Sequence, residues 1–273
     1  MIKYGDLVYI WNPKKGDSYM IKVTPGASFG THFAQINHDE LLYHEFGEGV
    51  RTEKGDLYYM LRPSLGDYTR HIRRQTQIIF PKDAGYIIQH LNIFPGCIYV
   101  ECGTGSGSLC CTVANFVGDT GKVCTYDRRA EFSELARKNA ERWGVAHRIE
   151  FNVRELEEGF KERDADAVYI DIPKPWEHID KAYEALKAGC HLGILVPTVN
   201  QIALTLEALE KFNFVDIRVC EIMLRDYKTD PRRIRPQDTM IGHTGYLLFA
   251  VKTLPLPERS SAAKESAEQT EEE

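Results

Sequence analysis

The stretch that decides the fold is Val100-Glu101-Cys102-Gly103-Thr104-Gly105-Ser106-Gly107-Ser108. It completes a short apolar run, Cys97 to Cys102, that is typical of a buried strand, and it opens the helix-period run Leu109 to Val117. The three glycines have no Cβ, so a ligand can approach the backbone closely, and the start of the helix offers unpaired N–H donors. The stretch therefore predicts a strand, a ligand-binding turn and a helix in succession.

Downstream of this turn, strand-like and helix-like segments alternate. The helix-period segment Glu131 to Trp143 stops at Gly144, as expected of a C-terminal cap, and Gln201 to Phe212 repeats the pattern. Such alternation predicts βαβ units around a parallel sheet. The final strands, Phe214 to Leu224 and Gly245 to Thr253, have no helix between them, so the last strand is expected to be antiparallel. The earlier strands are predicted at Cys97 to Cys102, Lys122 to Asp127, Arg148 to Arg154, Ala167 to Ile172 and Leu192 to Pro197.

Composition and turn signals divide the rest of the chain. Residues 1–62 contain short alternating apolar stretches between turn signals, which predict a small N-terminal antiparallel β domain. Residues 63–96 are a helical connector that carries Gln77-Ile78-Ile79-Phe80-Pro81-Lys82-Asp83, and residues 97–254 are the main domain. Residues 255–273, rich in Ser, Ala, Glu and Lys, are expected to be a disordered acidic tail. The predicted fold class is α/β, a Rossmann-like sheet with this small domain attached.

Composition limits the classes of function. Of 273 residues, 43% are hydrophobic and 27% charged, which is ordinary for a soluble globular protein. No apolar run approaches the roughly 18 residues of a spanning helix, so a cytoplasmic protein without a membrane partner is expected. The seven cysteines form no Cys-x-x-Cys pair, so neither a zinc ribbon nor a redox motif is predicted, and no metal is expected. The net charge of -6 argues against a uniformly basic nucleic-acid binder, although most of it comes from the tail.

Two acidic residues suggest which ligand the glycine turn accepts. Asp127 ends the next strand, where a carboxylate would accept hydrogen bonds from the hydroxyls of a ribose. A dinucleotide site requires Gly-x-Gly-x-x-Gly, but Ser108 stands at the third glycine position. Glu101 would repel a pyrophosphate and would suit the ammonium of an amino acid. The combination favours S-adenosylmethionine over a dinucleotide.

A third acidic residue, Asp171, lies at the end of the fourth predicted strand of the main sheet. It runs into Ile172-Pro173-Lys174-Pro175-Trp176, on the edge where open α/β sheets bind ligands. A carboxylate there can accept a hydrogen bond from an exocyclic amine while an aromatic ring holds the base. Asp171 is therefore a candidate site residue, with a helix cap or turn as the structural alternative.

With these motifs the chain closely resembles the tRNA adenine-N1 methyltransferases that modify position 58 in the T-loop, a family of class I S-adenosylmethionine-dependent methyltransferases. The resemblance spans about Gly5 to Thr253. Its specific part is the connector motif Gln77 to Asp83 joined to Asp171-Ile172-Pro173-Lys174-Pro175-Trp176. Further matches are Glu101 to Gly107, Arg235-Pro236, His243-Thr244 and the N-terminal Leu61-Arg62-Pro63-Ser64-Leu65-Gly66-Asp67-Tyr68.

The resemblance implies a role for each matched position. Asp171 would be the catalytic aspartate, and Phe80, where the family usually has Tyr, would stack on the target base, with Trp176 as a second candidate. Phe132 stands where some relatives carry an Arg near the cofactor. Contacts to S-adenosylmethionine are expected from Gln77, Ile79, Glu101, Gly103, Gly105, Ser106, Gly107, Ser108, Asp127, Glu155, Leu156 and Asp171.

The implied partner is tRNA, and the implied assembly is a homotetramer in which neighbouring subunits share one tRNA. Phosphate contacts are expected from two basic clusters, Arg70, Arg73 and Arg74 and then Arg232, Arg233 and Arg235, for which a solvated face is the alternative. The sequence is also compatible with two other functions. One is a noncatalytic RNA-binding subunit of a tRNA methyltransferase complex. The other is a class I methyltransferase with another substrate, such as protein isoaspartate. An NAD-dependent oxidoreductase is disfavoured by Ser108.

Overall fold

The computed structural model describes residues 1–30, 35–52 and 55–255, and the predicted acidic tail lies outside this range from residue 256 onward. The α-helices are α1 (Leu65–Arg70), α2 (Pro81–His90), α3 (Ser108–Val117), α4 (Ala130–Trp143), α5 (Ile179–Ala185) and α6 (Val199–Leu209). The strands are β1 (Leu7–Trp11), β2 (Ser18–Lys22), β3 (Ser28–Gly30), β4 (Gln35–Asn37), β5 (Gly49–Arg51), β6 (Leu57–Leu61), β7 (Ile98–Cys102), β8 (Lys122–Asp127), β9 (Ile149–Val153), β10 (Ala165–Ile170), β11 (Leu186–Val196), β12 (Phe214–Cys220), β13 (Tyr227–Lys228), β14 (Arg235–Pro236) and β15 (Tyr246–Lys252).

The larger sheet has seven strands in the order β12-β15-β11-β10-β7-β8-β9. The neighbours from β11 to β9 pair in parallel, whereas β15 is antiparallel to both β11 and β12. After β9 the chain crosses back over the sheet, so that β10 lies parallel beside β7 and the carboxyl ends of the two strands are neighbours at one edge. The predicted fold class is confirmed: a mostly parallel α/β sheet with an antiparallel last strand.

The N-terminal region forms its own antiparallel sheet, in the order β2-β1-β6-β5, with a separate β3–β4 hairpin. Its alternating strands bury one face, as shown by Val8, Ile10 and Met60, each at most 1% exposed. Contacts to α4 attach both this region and the connector. Arg142 donates to the carbonyl of Met20 at 2.7 Å, and the Tyr68 ring stacks on Trp143 with centroids 4.5 Å apart.

Two strand predictions were wrong in extent. β11 begins at Leu186, not at Leu192. Leu186 already pairs with Ala165 of β10, the register then shifts before His191 pairs with Ala167, and Lys187 forms an ion pair with Asp166 at 2.7 Å. β12 ends at Cys220, not at Leu224. Beyond that point the Lys82 ammonium donates to the carbonyl of Ile222 at 2.7 Å, which ties this backbone to α2 instead of β15.

Hydrophobic packing covers both faces of the larger sheet. One cluster contains Val100, Val168 and Ile194 together with α5 and α6, and the other contains Tyr99 and Tyr169 together with α2 and α3. Among the described residues, no helix is both long and apolar enough to cross a membrane. Five of the seven cysteines are buried, and all seven are free thiols.

Candidate active site

The glycine turn between β7 and α3 packs directly against the end of β10. Gly103 has φ +101°, and a Cβ there would overlap the carbonyl oxygen of Asp171 and lie 2.8 Å from its carbonyl carbon. Gly107, with φ +82°, is the N-cap of α3, and a Cβ there would lie 2.9 Å from that of Ala136. Only glycine fits both positions, so the sequence at the turn is what allows it to touch β10 and α4.

A first cavity, of about 230 Å³, opens above this turn. Three hydroxyl groups in its lining residues are buried without a hydrogen-bond partner among the described residues, those of Thr76, Ser106 and Tyr169. Buried polar groups are normally paired, so these hydroxyls are suited to a polar ligand. The other lining residues include the predicted Gln77, Ile79, Glu101, Gly103, Gly105, Ser108, Asp127 and Asp171.

A second cavity, of about 390 Å³, adjoins the first. It contains the predicted Glu155 and Leu156, together with the segment that follows Asp171. The two cavities share Gly103, Asp127, Arg129 and Asp171 in their walls. The structure thus brings all twelve predicted cofactor residues to one cleft or, for Gly107, to the start of the helix beneath it. Asp171 lies at the junction of the cavities.

Two carboxylates of this cleft have strongly raised pKa values. Burial raises the pKa of Glu101 to about 7, although the side chain accepts hydrogen bonds from Thr125 at 2.8 Å and Tyr99 at 2.9 Å. Burial likewise raises the pKa of Asp171 to about 6. Buried carboxylates without a cationic partner are typical of ligand sites, because a ligand can supply the missing positive charge.

Asp127 is held in place by backbone donors. Its carboxylate accepts from the amides of Gly105 at 3.2 Å and Arg129 at 3.0 Å. The Arg129 guanidinium stacks over the ring of Phe132 at 3.8 Å. Arg129 thus places a cation in the lining of the cleft, although Phe132 stands where some relatives carry an Arg. The sequence motifs did not indicate Arg129 and Tyr169 as site residues. Their positions, two residues after Asp127 and two before Asp171, were the available signal.

The predicted base-stacking and RNA-binding residues lie outside these two cavities. Phe80, the N-cap of α2, lines a third cavity of about 310 Å³ that also contains Arg70. Trp176 is half-buried and packs against the core beside α5 and α6. Arg73 and Arg74 are exposed beyond α1, and Arg232, Arg233 and Arg235 are exposed on the β13–β14 hairpin. The structure does not bring Phe80 and Asp171 into one cavity.

The fold and the cleft define a class I methyltransferase: a seven-stranded sheet with an antiparallel last strand, a glycine turn after β7 and acidic residues at the ends of β7 and β8. Residues 56–239 match the family described as tRNA methyltransferase complex GCD14 subunit. The chain belongs to this family.

Individual relatives are similar over most of their length. A tRNA (adenine(57)-N(1)/adenine(58)-N(1))-methyltransferase TrmI of Methanocaldococcus jannaschii is 33% identical, over 87% of this chain and 92% of that protein. The solved structure of tRNA (m1A58) methyltransferase TrmI from Aquifex aeolicus has a TM-score of 0.82 and 31% identity, covering 93% of this chain and 99% of that one. A structure from Thermotoga maritima, described as a SAM-dependent O-methyltransferase, has a TM-score of 0.90 and 38% identity, covering 94% and 96%.

Proposed function

We propose that the protein transfers a methyl group from S-adenosylmethionine to N1 of adenine 58 in the T-loop of tRNA. The names of the relatives from Methanocaldococcus and Aquifex support the reaction and its position. The structural observation that carries the proposal is Asp171, a half-buried residue with a raised carboxyl pKa that lies where the two cavities meet.

The residues of the cleft fit S-adenosylmethionine. Glu101 suits its ammonium group, and Asp127, fixed by two backbone donors, suits its ribose. The unpaired hydroxyls of Thr76 and Ser106 offer further hydrogen bonds. When bound, this cofactor supplies a methyl group carried on a positively charged sulfur.

Asp171 would act by orientation and electrostatics. The N1 lone pair of adenine lies in the ring plane and is free at neutral pH, so the reaction requires no strong base. Methylation leaves the base positively charged, and a carboxylate that accepts a hydrogen bond from the exocyclic amine stabilises that charge as it develops. With a pKa of about 6, Asp171 is ionised at pH 7 to 8.

Contacts to tRNA would come from the third cavity and the basic clusters. The third cavity combines the Phe80 ring, suited to stacking on a base, with the exposed Arg70, suited to a phosphate. In this arrangement Phe80 would contact the RNA from the third cavity, whereas Asp171 would contact it from the junction of the first two cavities.

A homotetrameric assembly in the cytoplasm completes the proposal. Exposed apolar side chains are concentrated in one segment around the β13–β14 hairpin, and such concentration marks an interaction surface. These residues are Met223, Leu224, Tyr227, Ile234, Met240 and Ile241. A relative in Candida albicans is named as the catalytic subunit of this activity, so a heteromeric assembly is the alternative.

The test is transfer of labelled methyl groups to unmodified tRNA transcripts. We expect 1-methyladenosine at position 58, and loss of the label with Asp171→Ala or when adenine 58 is replaced. The matched control is Asp164→Ala, which removes an exposed carboxylate just before the opposite end of β10. Measurable cofactor binding without label in tRNA, or label on a ribose oxygen, would reject the proposal.

A further inference from the structure

The Tyr169 hydroxyl is a buried donor at the cofactor cleft that neither the sequence motifs nor the proposed reaction uses. Its side chain is 1% exposed and lines the first cavity together with Glu101 and Asp171. The hydroxyl has no hydrogen-bond partner among the described residues. Leaving such a donor unpaired destabilises a protein, so it is expected to serve a ligand.

The position of Tyr169 on the sheet fixes where its hydroxyl can act. It lies two residues before Asp171 on the same face, and it is the cross-strand partner of Glu101 on β7. On the other side its partner is Gly193, where a Cβ would lie only 2.8 Å from the tyrosine ring. The ring is therefore enclosed, and the hydroxyl stays near the edge where Asp171 lies.

The neighbouring carboxylate Glu101 already has its own donors. Tyr99, on the same sheet face, donates to one oxygen at 2.9 Å, and Thr125 donates to the other at 2.8 Å. Burial and the nearby Asp171 and Glu101 raise the pKa of Tyr169 well above 10, so its phenol remains a donor at every pH of interest. The cleft thus presents a donor, Tyr169, beside an acceptor, Asp171.

Adenine carries the complementary pair of groups. Along its major-groove edge the N7 acceptor lies next to the N6 amine donor, whereas guanine presents two acceptors, N7 and O6. We propose that Tyr169 is a specificity-determining residue whose hydroxyl donates to N7 of the adenine whose amine Asp171 accepts. Asp171 rejects guanine, whose O6 offers it no donor, whereas Tyr169 requires the N7 acceptor that only purines carry. Both contacts leave N1 free for methylation. The inference rests on the proposed function.

The experiment compares wild type with Tyr169→Phe, which keeps the ring and removes only the hydroxyl. Each is assayed on tRNA with adenosine or 7-deazaadenosine at position 58, and calorimetry gives the affinity for S-adenosylmethionine. We expect both the variant and the modified base to lower kcat/KM about tenfold, the usual worth of one hydrogen bond. Tyr169→Phe assayed on the 7-deazaadenosine tRNA should show no greater loss of kcat/KM than either change alone. The affinity for S-adenosylmethionine should be unchanged.

Tyr99→Phe is the matched control, since it removes a buried tyrosine hydroxyl on the same face that donates to Glu101. This variant should bind the cofactor more weakly and should keep the full penalty for 7-deazaadenosine. If 7-deazaadenosine lowers kcat/KM of Tyr169→Phe as much as that of the wild type, or if this variant binds the cofactor more weakly, the role proposed for Tyr169 is overturned. The proposed function is not affected by either result. Absence of methyl transfer by the wild type to the adenosine transcript overturns the proposed function as well.

Discussion

Glu101 carries its charge at an energetic cost that depends on pH. Its pKa is about 7 in the folded chain, against an ordinary value of 4.5. Because the unfolded chain loses this proton earlier, the free energy of unfolding of the ligand-free protein falls as pH rises from about 4.5 to 7, by roughly 3 kcal/mol for this group.

We therefore expect Glu101→Gln to be more stable than the wild type at pH 8 and equally stable near pH 4.5, while binding S-adenosylmethionine more weakly. Denaturant unfolding without cofactor across this range measures the first effect, and calorimetry measures the second. Stability curves that run parallel for the two proteins would contradict the assignment of the buried charge.

Asp171 should set the acidic limb of the activity profile. Since its carboxylate must be ionised to stabilise the methylated base, we expect kcat/KM, which reports the ionisation of the ligand-free protein, to fall as pH drops through about 6. Asp171→Asn should lower kcat by about 10²- to 10³-fold, as with loss of other preorganised electrostatic groups, and should remove this limb. The measurement is the kcat/KM and kcat of tRNA methylation from pH 5 to 8.5. A variant that keeps the same limb would assign it to another group.

Among the elements, the glycine turn depends on close backbone contact. At Gly103 both the positive φ and the carbonyl of Asp171 exclude a side chain, so we expect Gly103→Ala to destabilise the fold and to abolish methyl transfer. Gly85→Ala is the control, because Gly85 lies in α2 with nothing within 4 Å of its Cβ position. It should raise the free energy of unfolding by roughly 0.5–1 kcal/mol. Thermal unfolding and methyl transfer of both variants test this, and an active Gly103→Ala enzyme would refute the contact.

The three arginines of the β13–β14 hairpin differ in whether they form an ion pair with a nearby aspartate. Arg232 pairs with Asp230 at 3.3 Å and Arg235 with Asp238 at 2.8 Å, whereas Arg233 has no ion pair among the described residues. Arg233→Gln should therefore weaken tRNA binding and its dependence on salt more than Arg232→Gln does. Binding titrations at several salt concentrations give both quantities. Equal effects of the two variants would speak against a direct phosphate contact by Arg233.

Local sequence patterns predicted those elements whose order is visible along the chain. Cap and turn residues located α4, which ends at Trp143 before the capping Gly144, and the helix that begins at Ser108. They did not predict the first half of β11, where Leu186 pairs with Ala165 before an irregular stretch that ends at His191. Tyr169 was missed because one tyrosine in an apolar strand has the same pattern as a core residue. Its unpaired hydroxyl becomes visible only in three dimensions.

At the scale of the whole molecule, the exposed apolar segment around the β13–β14 hairpin should be covered in solution. For chains of 31.2 kDa we expect light scattering to give a mass of about 125 kDa, that of a tetramer. Met223→Glu combined with Ile241→Glu places charges at positions 68% and 55% exposed, and should yield smaller species without unfolding the chain. Monomeric wild type at micromolar concentration would contradict the proposed assembly.

The contact between Gly103 and Asp171 has a consequence for protein engineering. The glycine turn, where the methyl donor is proposed to bind, is aligned with the end of β10 by main-chain atoms and not by side chains. Combinatorial libraries that vary the side chains around the second and third cavities can therefore search for new acceptor bases while this alignment is kept. A single-residue insertion between Gly103 and Gly107 would abolish it, whatever side chains surround it.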